Sequence, residues 1–459
     1  MGTLPSMNAR DDLHAIRAIF PSHTTWDAGG AMALAGLPLT DVATRWGTPA
    51  YLLDEEDIRE RARAFRDEFG RAFAAIGSGA DVYYAGKAFL CTAMVRLLGE
   101  EGLRLDVCSG GELAVARRAG FPGGRIGLHG NNKSLDEIEA AVAYGVGRIV
   151  VDSFEEIERV AAVARRAGVV APVMIRVKTG VEAHTHEFIA TAHEDQKFGL
   201  SLAGGELAEA AAQVLGHSEA LSLLGFHSHI GSQIFESSGF AVAAQRLIGA
   251  QLEVARDHGV TLPELDLGGG FGIAYVPTDT PLSARDMADQ LAGIVDAACR
   301  EAGMPVPRVS IEPGRAIVGP AGVTLYEVGT VKPVVAADEQ PRTYVSVDGG
   351  MSDNVRPALY GADYTCVLAE RLGSDEQMRA RVVGKHCESG DIIVNEGRLP
   401  ADTRPGDLLA VPATGAYCRS LASQYNHVPR PPVLALRDGE VTVWLRRETI
   451  DDLLALEGE

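Results

Sequence analysis

Val82-Tyr83-Tyr84-Ala85-Gly86-Lys87-Ala88, followed by the helix-like run Phe89 to Leu98, sets a rhythm that continues to about residue 315. A short β-branched or aromatic run gives way to a polar or glycine-rich turn, and an amphipathic stretch of helical period follows. Counted outward from this unit, eight strand candidates succeed one another. They are Asp81 to Ala85, Arg104 to Cys108, Arg125 to His129, Arg148 to Asp152, Pro172 to Lys178, Leu223 to Ile230, Glu264 to Leu267 and Arg308 to Ile311. Helical patterns such as Glu112 to Ala119, Leu135 to Tyr144, Phe154 to Ala167, Ala241 to His258 and Ala284 to Ala302 lie between them. Eight βα units predict a closed (β/α)8 barrel with its working residues at the C-terminal strand ends. A doubly wound open sheet is the alternative that the pattern leaves.

After Gly314 the texture changes to short alternating strands with frequent Gly and Pro, at Val323 to Val331, Arg342 to Val347, Arg381 to Val383, Asp407 to Val411 and Val441 to Leu445. That texture predicts a mainly antiparallel β domain, of sandwich or barrel type. The strand-like stretch Gly47 to Asp54 precedes the barrel and is expected to pair into that β domain. The expected division is therefore a barrel over 56–315 and a discontinuous β domain from 1–55 and 316–459. A short helix is expected within Glu448 to Leu456.

The chain has 459 residues, 46% of them hydrophobic and 23% charged, which is the balance of a globular protein. A formal charge of −20 argues against nucleic acid and anionic membrane as partners. With no apolar leader and no stretch of membrane-spanning length, a cytoplasmic protein is expected. The six cysteines (Cys91, Cys108, Cys299, Cys366, Cys387 and Cys418) show no CxxC spacing, so neither a zinc knuckle nor a disulfide framework is expected.

If the barrel closes, the strand ends form one constellation. Lys87 follows the first strand, where a neutral amine beside a helix N-terminus could act as a Schiff-base nucleophile; the plain alternative is a solvated lysine. Asp106 begins Asp106-Val107-Cys108-Ser109-Gly110-Gly111-Glu112 after the second, and Arg176 and Lys178 end the fifth. His227 and His229 sit two apart on the sixth strand, hence on one face. Gly268-Gly269-Gly270 ends the seventh and offers backbone N–H groups to a phosphate, though its spacing is not that of a dinucleotide fold. Glu312-Pro313-Gly314-Arg315 ends the eighth. A lysine, a phosphate cradle, a flat histidine and an acid are together what pyridoxal phosphate requires, with Glu312 keeping the ring nitrogen protonated. His-x-His is also a metal-ligand spacing. In metal-dependent barrels of that kind, however, the pair ends the first strand, so no metal is expected.

The chain resembles the diaminopimelate decarboxylases, within the alanine-racemase-fold group of pyridoxal-phosphate decarboxylases. The resemblance is carried by Thr48-Pro49-Ala50-Tyr51, Tyr84-Ala85-Gly86-Lys87, His227-Ser228-His229-Ile230-Gly231-Ser232, Gly268-Gly269-Gly270, Glu312-Pro313-Gly314-Arg315, Cys387-Glu388-Ser389-Gly390-Asp391 and Gly415-Ala416-Tyr417. It implies decarboxylation of meso-2,6-diaminopimelate to L-lysine and carbon dioxide, the last step of lysine biosynthesis. Lys87, Cys387 and His229 would be catalytic. Lys87, Asp106, His229, Ser232, Gly269, Gly270, Glu312, Gly314, Arg315 and Tyr417 would hold the cofactor. Arg315, Arg356, Tyr360, Glu388 and Tyr417 would hold the substrate. It also implies a homodimer with shared active sites, in which Cys387 and Glu388 come from the partner subunit. Decarboxylation of ornithine, lysine or carboxynorspermidine, racemisation on the same fold, and a non-catalytic homologue that binds the cofactor are the competing readings. The histidine-rich stretch 182–194 departs from a minimal connection and reads as a loop over the site's mouth.

Overall fold

The computed structural model describes residues 16–181, 196–335 and 340–458. Eight parallel strands close in chain order: Ala80–Ala85, Arg104–Val107, Ile126–Leu128, Arg148–Val151, Ala171–Lys178, Leu221–His227, Glu264–Asp266 and Arg308–Ile311. Val309–Ile311 of the last lies beside Ala80–Val82 of the first, so there is no free edge and the open-sheet alternative is excluded. Interior strands carry apolar runs on both faces, as Arg148–Val151 does in being buried throughout.

The connecting helices start and stop where local chemistry says they should. Ser109, Ser134, Ser153 and Ser283 each accept a hydrogen bond from the backbone three residues on, and Ser134 with Glu137 forms a full capping box. Those four helices end at Gly120, Gly145, Gly168 and Gly303 in the left-handed region, where a Cβ would be strained. Two boundaries differ from expectation in ways that matter. The helix after Lys87 begins at Thr92, and the lysine itself sits in a 3-10 turn, Gly86–Ala88, so the helix dipole is farther from the amine than the sequence suggested. The sixth strand ends at His227, so His229 lies beyond it and strand alternation does not orient its ring.

The chain forms two compact units: the described residues up to Ile58 with Ile273–Thr280 and those from Ile317 onward, and Arg59–Gly272 with Pro281–Ala316. The second holds the barrel. In the first, the long strand Gly322–Val335 pairs antiparallel with Pro341–Val347, with Leu408–Pro412 and with Ala50–Asp54. Parallel pairing occurs where Thr343–Ser346 meets Ala380–Val383 and where Tyr51–Asp54 meets Val433–Leu436. The sheet is thus mixed, though mostly antiparallel. Ala50–Asp54 is buried along its whole length between Gly322–Leu325 and Val433–Leu436. The expected terminal helix is Ile450–Leu454, capped by Thr449.

Candidate active site

One cavity in the barrel unit is walled by Lys87, Asp106, Cys108, Glu112, His129, Arg176, Phe198, His227, His229 and Glu312, together with Ala85, Gly86, Val107, Gly130 and Asn131. Strand ends supply nearly all of these, which is what closure of the barrel requires. Lys87 reaches it because two glycines let neighbouring chains approach. A Cβ on Gly86 would come 2.8 Å from Asp106 O, and one on Gly314 would come 2.9 Å from Ala85 O.

The acids of the cavity floor are almost dry. Glu312 is 7% and Asp106 6% exposed, and burial raises both pKa values; each acid raises the other's or is raised by a further carboxylate nearby. His129 Nε2 stands 3.1 Å from Asp106 Oδ1 and 3.4 Å from Glu312 Oε1, while His227 Nε2 is 3.0 Å from the same Glu312 oxygen. The His227 contact is off the N–H direction, so Glu312 Oε1 and both nitrogens of His227 lack a directed partner. Three ligand-type atoms within 4.8 Å could seat a cation by distance alone. His129 was not among the sequence candidates, although it closes a strand pattern; its position as the last polar residue of the third strand was the available signal.

Burial holds His129 neutral, with its pKa pushed down to about 4. The unfolded chain takes up that proton near pH 6.5. The folded state therefore has the full benefit of the neutral ring above pH 6.5 and loses it as pH falls toward 4. Melting temperatures measured across this range should fall less steeply for His129→Gln than for the wild type. Parallel slopes would show that His129 does not contribute.

His229 is held differently. Gly269 N–H donates to its Nδ1 at 3.2 Å, which fixes Nδ1 as acceptor and places the ring proton on Nε2. Burial, and then the positive charges of Lys87 and Arg176, keep the ring neutral. The glycine loop is accordingly less bare than its sequence implied, because Gly268 N–H also donates, to Asp266 Oδ1 at 2.7 Å. No other residue type fits there. A Cβ on Gly268, Gly269 or Gly270 would come 2.5, 2.2 or 2.3 Å from Ser228 O, Glu312 O or Gly231 O respectively. Phe271 then anchors the loop against Phe240, Phe65 and Phe69 at ring separations of 5.6 to 6.2 Å. Ser232 Oγ accepts from Arg315 Nη2 at 2.7 Å, bringing together a residue expected at the phosphate and one expected at the substrate.

The other expected residues belong to the β unit. Arg356 is buried rather than superficial, its guanidinium 4.6 Å from the Tyr275 ring and bonded to Tyr364 Oη. It begins the short helix Arg356–Tyr360, and Tyr360 is half-buried. The preceding turn is locked by Asp353, which accepts from Gly350 N–H at 2.8 Å and from Tyr326 Oη. Tyr417 takes a left-handed φ of 64°, a strained conformation for a side-chain-bearing residue. Cys387 and Glu388 are exposed, on a loop held by His386, whose Nε2 is 2.8 Å from Ser352 Oγ. The histidine-rich stretch 182–194 lies outside the described residues; just after it, Phe198 packs under the Arg176 guanidinium at 4.2 Å and Gly199 N–H donates to Asp152.

Residues 55–319 match the family model of the pyridoxal-dependent decarboxylases, described as their pyridoxal-binding domain. A diaminopimelate decarboxylase of Mycobacterium tuberculosis (strain H37Rv) is 54% identical over 449 residues, covering 97% of this chain and 99% of that one. The chain belongs to the diaminopimelate decarboxylase family. Similarity of structure extends to the crystal structure of diaminopimelate decarboxylase from M. jannaschii, with a TM-score of 0.88, 29% identity and coverage of 96% of this chain and 98% of that one. A second structure of that enzyme, in complex with L-lysine, matches with a TM-score of 0.87 at 30% identity over 95% and 97% of the two chains.

Pyridoxal phosphate is the cofactor of this decarboxylase family, and the cavity fits it. A dry carboxylate oxygen without a directed donor, in a wall shared with a lysine amine, is what a protonated ring nitrogen would satisfy. Glycine backbone with an adjacent Ser232 and Arg315 suits the phosphate.

Proposed function

We propose that the chain decarboxylates meso-2,6-diaminopimelate to L-lysine and carbon dioxide in the last step of lysine biosynthesis. The observation that carries the chemistry is the pairing of Lys87 with Glu312 in one cavity, the carboxylate being buried and only loosely partnered. Pyridoxal phosphate supplies the electron sink that takes up the bonding pair when the carboxylate leaves. Lys87, whose amine lines the cavity, would hold the cofactor's aldehyde. His229, neutral and with its proton on Nε2, would pack against the cofactor ring, and Gly269, Gly270, Gly314 and Ser232 would hold its phosphate. Glu312 would keep the ring nitrogen protonated, and Asp106, bonded to the neighbouring His129, stands in the same cavity wall.

For the β-unit residues the support is the family resemblance together with local chemistry. Arg356 and Tyr360, with Arg315 of the barrel unit, receive the substrate's distal carboxylate, for which a guanidinium fork is well suited. Glu388 faces the distal ammonium and Tyr417 meets both cofactor and substrate. Cys387 and Lys87 are the two candidate donors of the proton to the carbon that loses carbon dioxide. Cys387 and Glu388 are assigned to the partner subunit of a homodimer, a role consistent with their exposure here. The boundaries 56–315 for the barrel and 1–55 with 316–459 for the β domain go with this reading, as does a cytoplasmic location. No helix among the described residues is long and apolar enough to cross a membrane.

Carbon dioxide release from a panel of meso-diaminopimelate, ornithine, lysine and carboxynorspermidine tests the substrate. Turnover is expected on diaminopimelate, with kcat/KM for the others lower by about 100-fold or more, because a buried guanidinium is left without its carboxylate. Comparable turnover on ornithine would overturn the assignment.

A further inference from the structure

Arg148 lies outside the motifs that carry the family resemblance and outside the cavity wall, yet it is the largest fully buried side chain among the described residues. It begins the fourth strand, and its guanidinium crosses the barrel interior. Nη2 binds Asp266 Oδ2 of the seventh strand, and Nη1 donates to Ser310 Oγ of the eighth at 3.0 Å. The guanidinium carbon lies 3.7 Å from the centre of the Tyr83 ring on the first. Those are the three strands that end in the glycine loop, in Glu312 and in Lys87. The third strand makes room for the crossing, since a Cβ on Gly127 would come 3.3 Å from Arg148 Nε and 2.9 Å from Asp106 Oδ1.

The connection continues upward. Asp266 gives one carboxylate oxygen to Arg148 and the other to Gly268 N–H, the first amide of the glycine loop. Gly269 then donates to His229. A guanidinium unpaired in such a place would be strongly unfavourable, and this one is instead shared among Asp266, the more distant Glu264 Oε2 at 3.6 Å, a hydroxyl and an aromatic face. Its charge also acts on Asp106 and Glu312, favouring their ionised forms.

Resting on the pyridoxal phosphate reading above, we propose that Arg148 is a positioning residue of the cofactor site, a brace that ties together the strand ends bearing Lys87, the phosphate loop and Glu312. Cofactor retention then depends on a side chain that touches neither cofactor nor substrate. The test compares the wild-type holoenzyme with Arg148→Met, Arg148→Lys and Gly127→Ala. The dissociation constant of pyridoxal phosphate is read from the absorbance of the bound cofactor, and the melting temperature of the cofactor-stripped protein is recorded beside it. Arg148→Met is expected to weaken cofactor binding by about tenfold or more, the equivalent of one charge-assisted hydrogen bond. Arg148→Lys recovers part of the loss. Gly127→Ala, which keeps every charge, is expected to weaken binding in the same direction, its Cβ meeting Asp106 Oδ1 at 2.9 Å as well as Arg148 Nε at 3.3 Å.

A purely structural arginine would lower the melting temperature and leave the constant alone. Folded Arg148→Met and Gly127→Ala proteins that bind the cofactor as the wild type does would overturn the brace. Should Arg148→Met fail to fold, Ser310→Ala, which removes only the hydroxyl that accepts from Arg148 Nη1, decides by the same criterion. A wild-type protein that takes up no pyridoxal phosphate would instead overturn the functional reading, and the brace with it.

Discussion

Lys87→Ala is expected to lower turnover by roughly 1,000-fold or more, because the amine is the only group of its kind placed to bind the cofactor's aldehyde among the residues of the cavity wall. The effect should fall on chemistry rather than on folding. Lys87 is exposed to the cavity, so its removal leaves neither a void nor an orphaned partner in the core, and the melting temperature should move little. Lys87→Arg should not rescue, since a guanidinium keeps its proton and cannot form the imine. Borohydride reduction of the wild-type holoenzyme, followed by peptide mapping, checks the assignment directly. The phosphopyridoxyl group is expected on Lys87, and its recovery on another lysine would refute the site.

Glu312→Gln should reduce kcat by about 100-fold, in the range measured when one preorganised electrostatic contact is removed from an active site. The amide keeps the shape but cannot hold a ring nitrogen in its protonated form, so the electron sink is weakened while the cavity stays intact. Stability should move the other way. Glu312 is buried, and the neighbouring Asp106 adds to the cost of its charge, so replacing the carboxylate with a neutral group removes an unfavourable term from the cofactor-free protein. The expected signature is a large loss of turnover with an unchanged or higher melting temperature. Wild-type kcat in a folded Glu312→Gln protein would sink the electron-sink role.

The residues that were legible in the sequence are those whose position follows from a local pattern. Lys87, His227, the glycines at 268–270 and Glu312 each end a strand, and the barrel brings strand ends together whatever lies between. Arg148 and His129 were not read as functional. Arg148 begins its strand, and nothing local says that its side chain spans the interior to Asp266. His129 closes a strand pattern, but its partners Asp106 and Glu312 come from other strands. The helix Glu55–Ala75 shows a different lapse, since Ile58, Ala62, Phe65, Phe69 and Phe73 recur at helical spacing and all are buried beneath a heavily charged surface run. In the β unit, the strands Ile392–Pro400 and Val433–Arg437 carry no local mark in the sequence. Their partners are fixed by long-range register, which composition does not encode.

The strand Ala50–Asp54 also sets an order on biosynthesis. Its antiparallel neighbour emerges from the ribosome some 270 residues later and its parallel neighbour, Val433–Leu436, some 380 residues later. Until then, five residues destined to be wholly covered wait without a second flank, while the intervening barrel strands can pair with one another as they appear. A nascent chain stalled before residue 433 would carry that apolar edge open, a surface suited to chaperone capture or to mispairing between neighbouring polysomes. For the same reason a fragment beginning near residue 317 would lack a central strand of its own sheet, and separate expression of the C-terminal segment should give aggregates unless residues 50–54 are supplied.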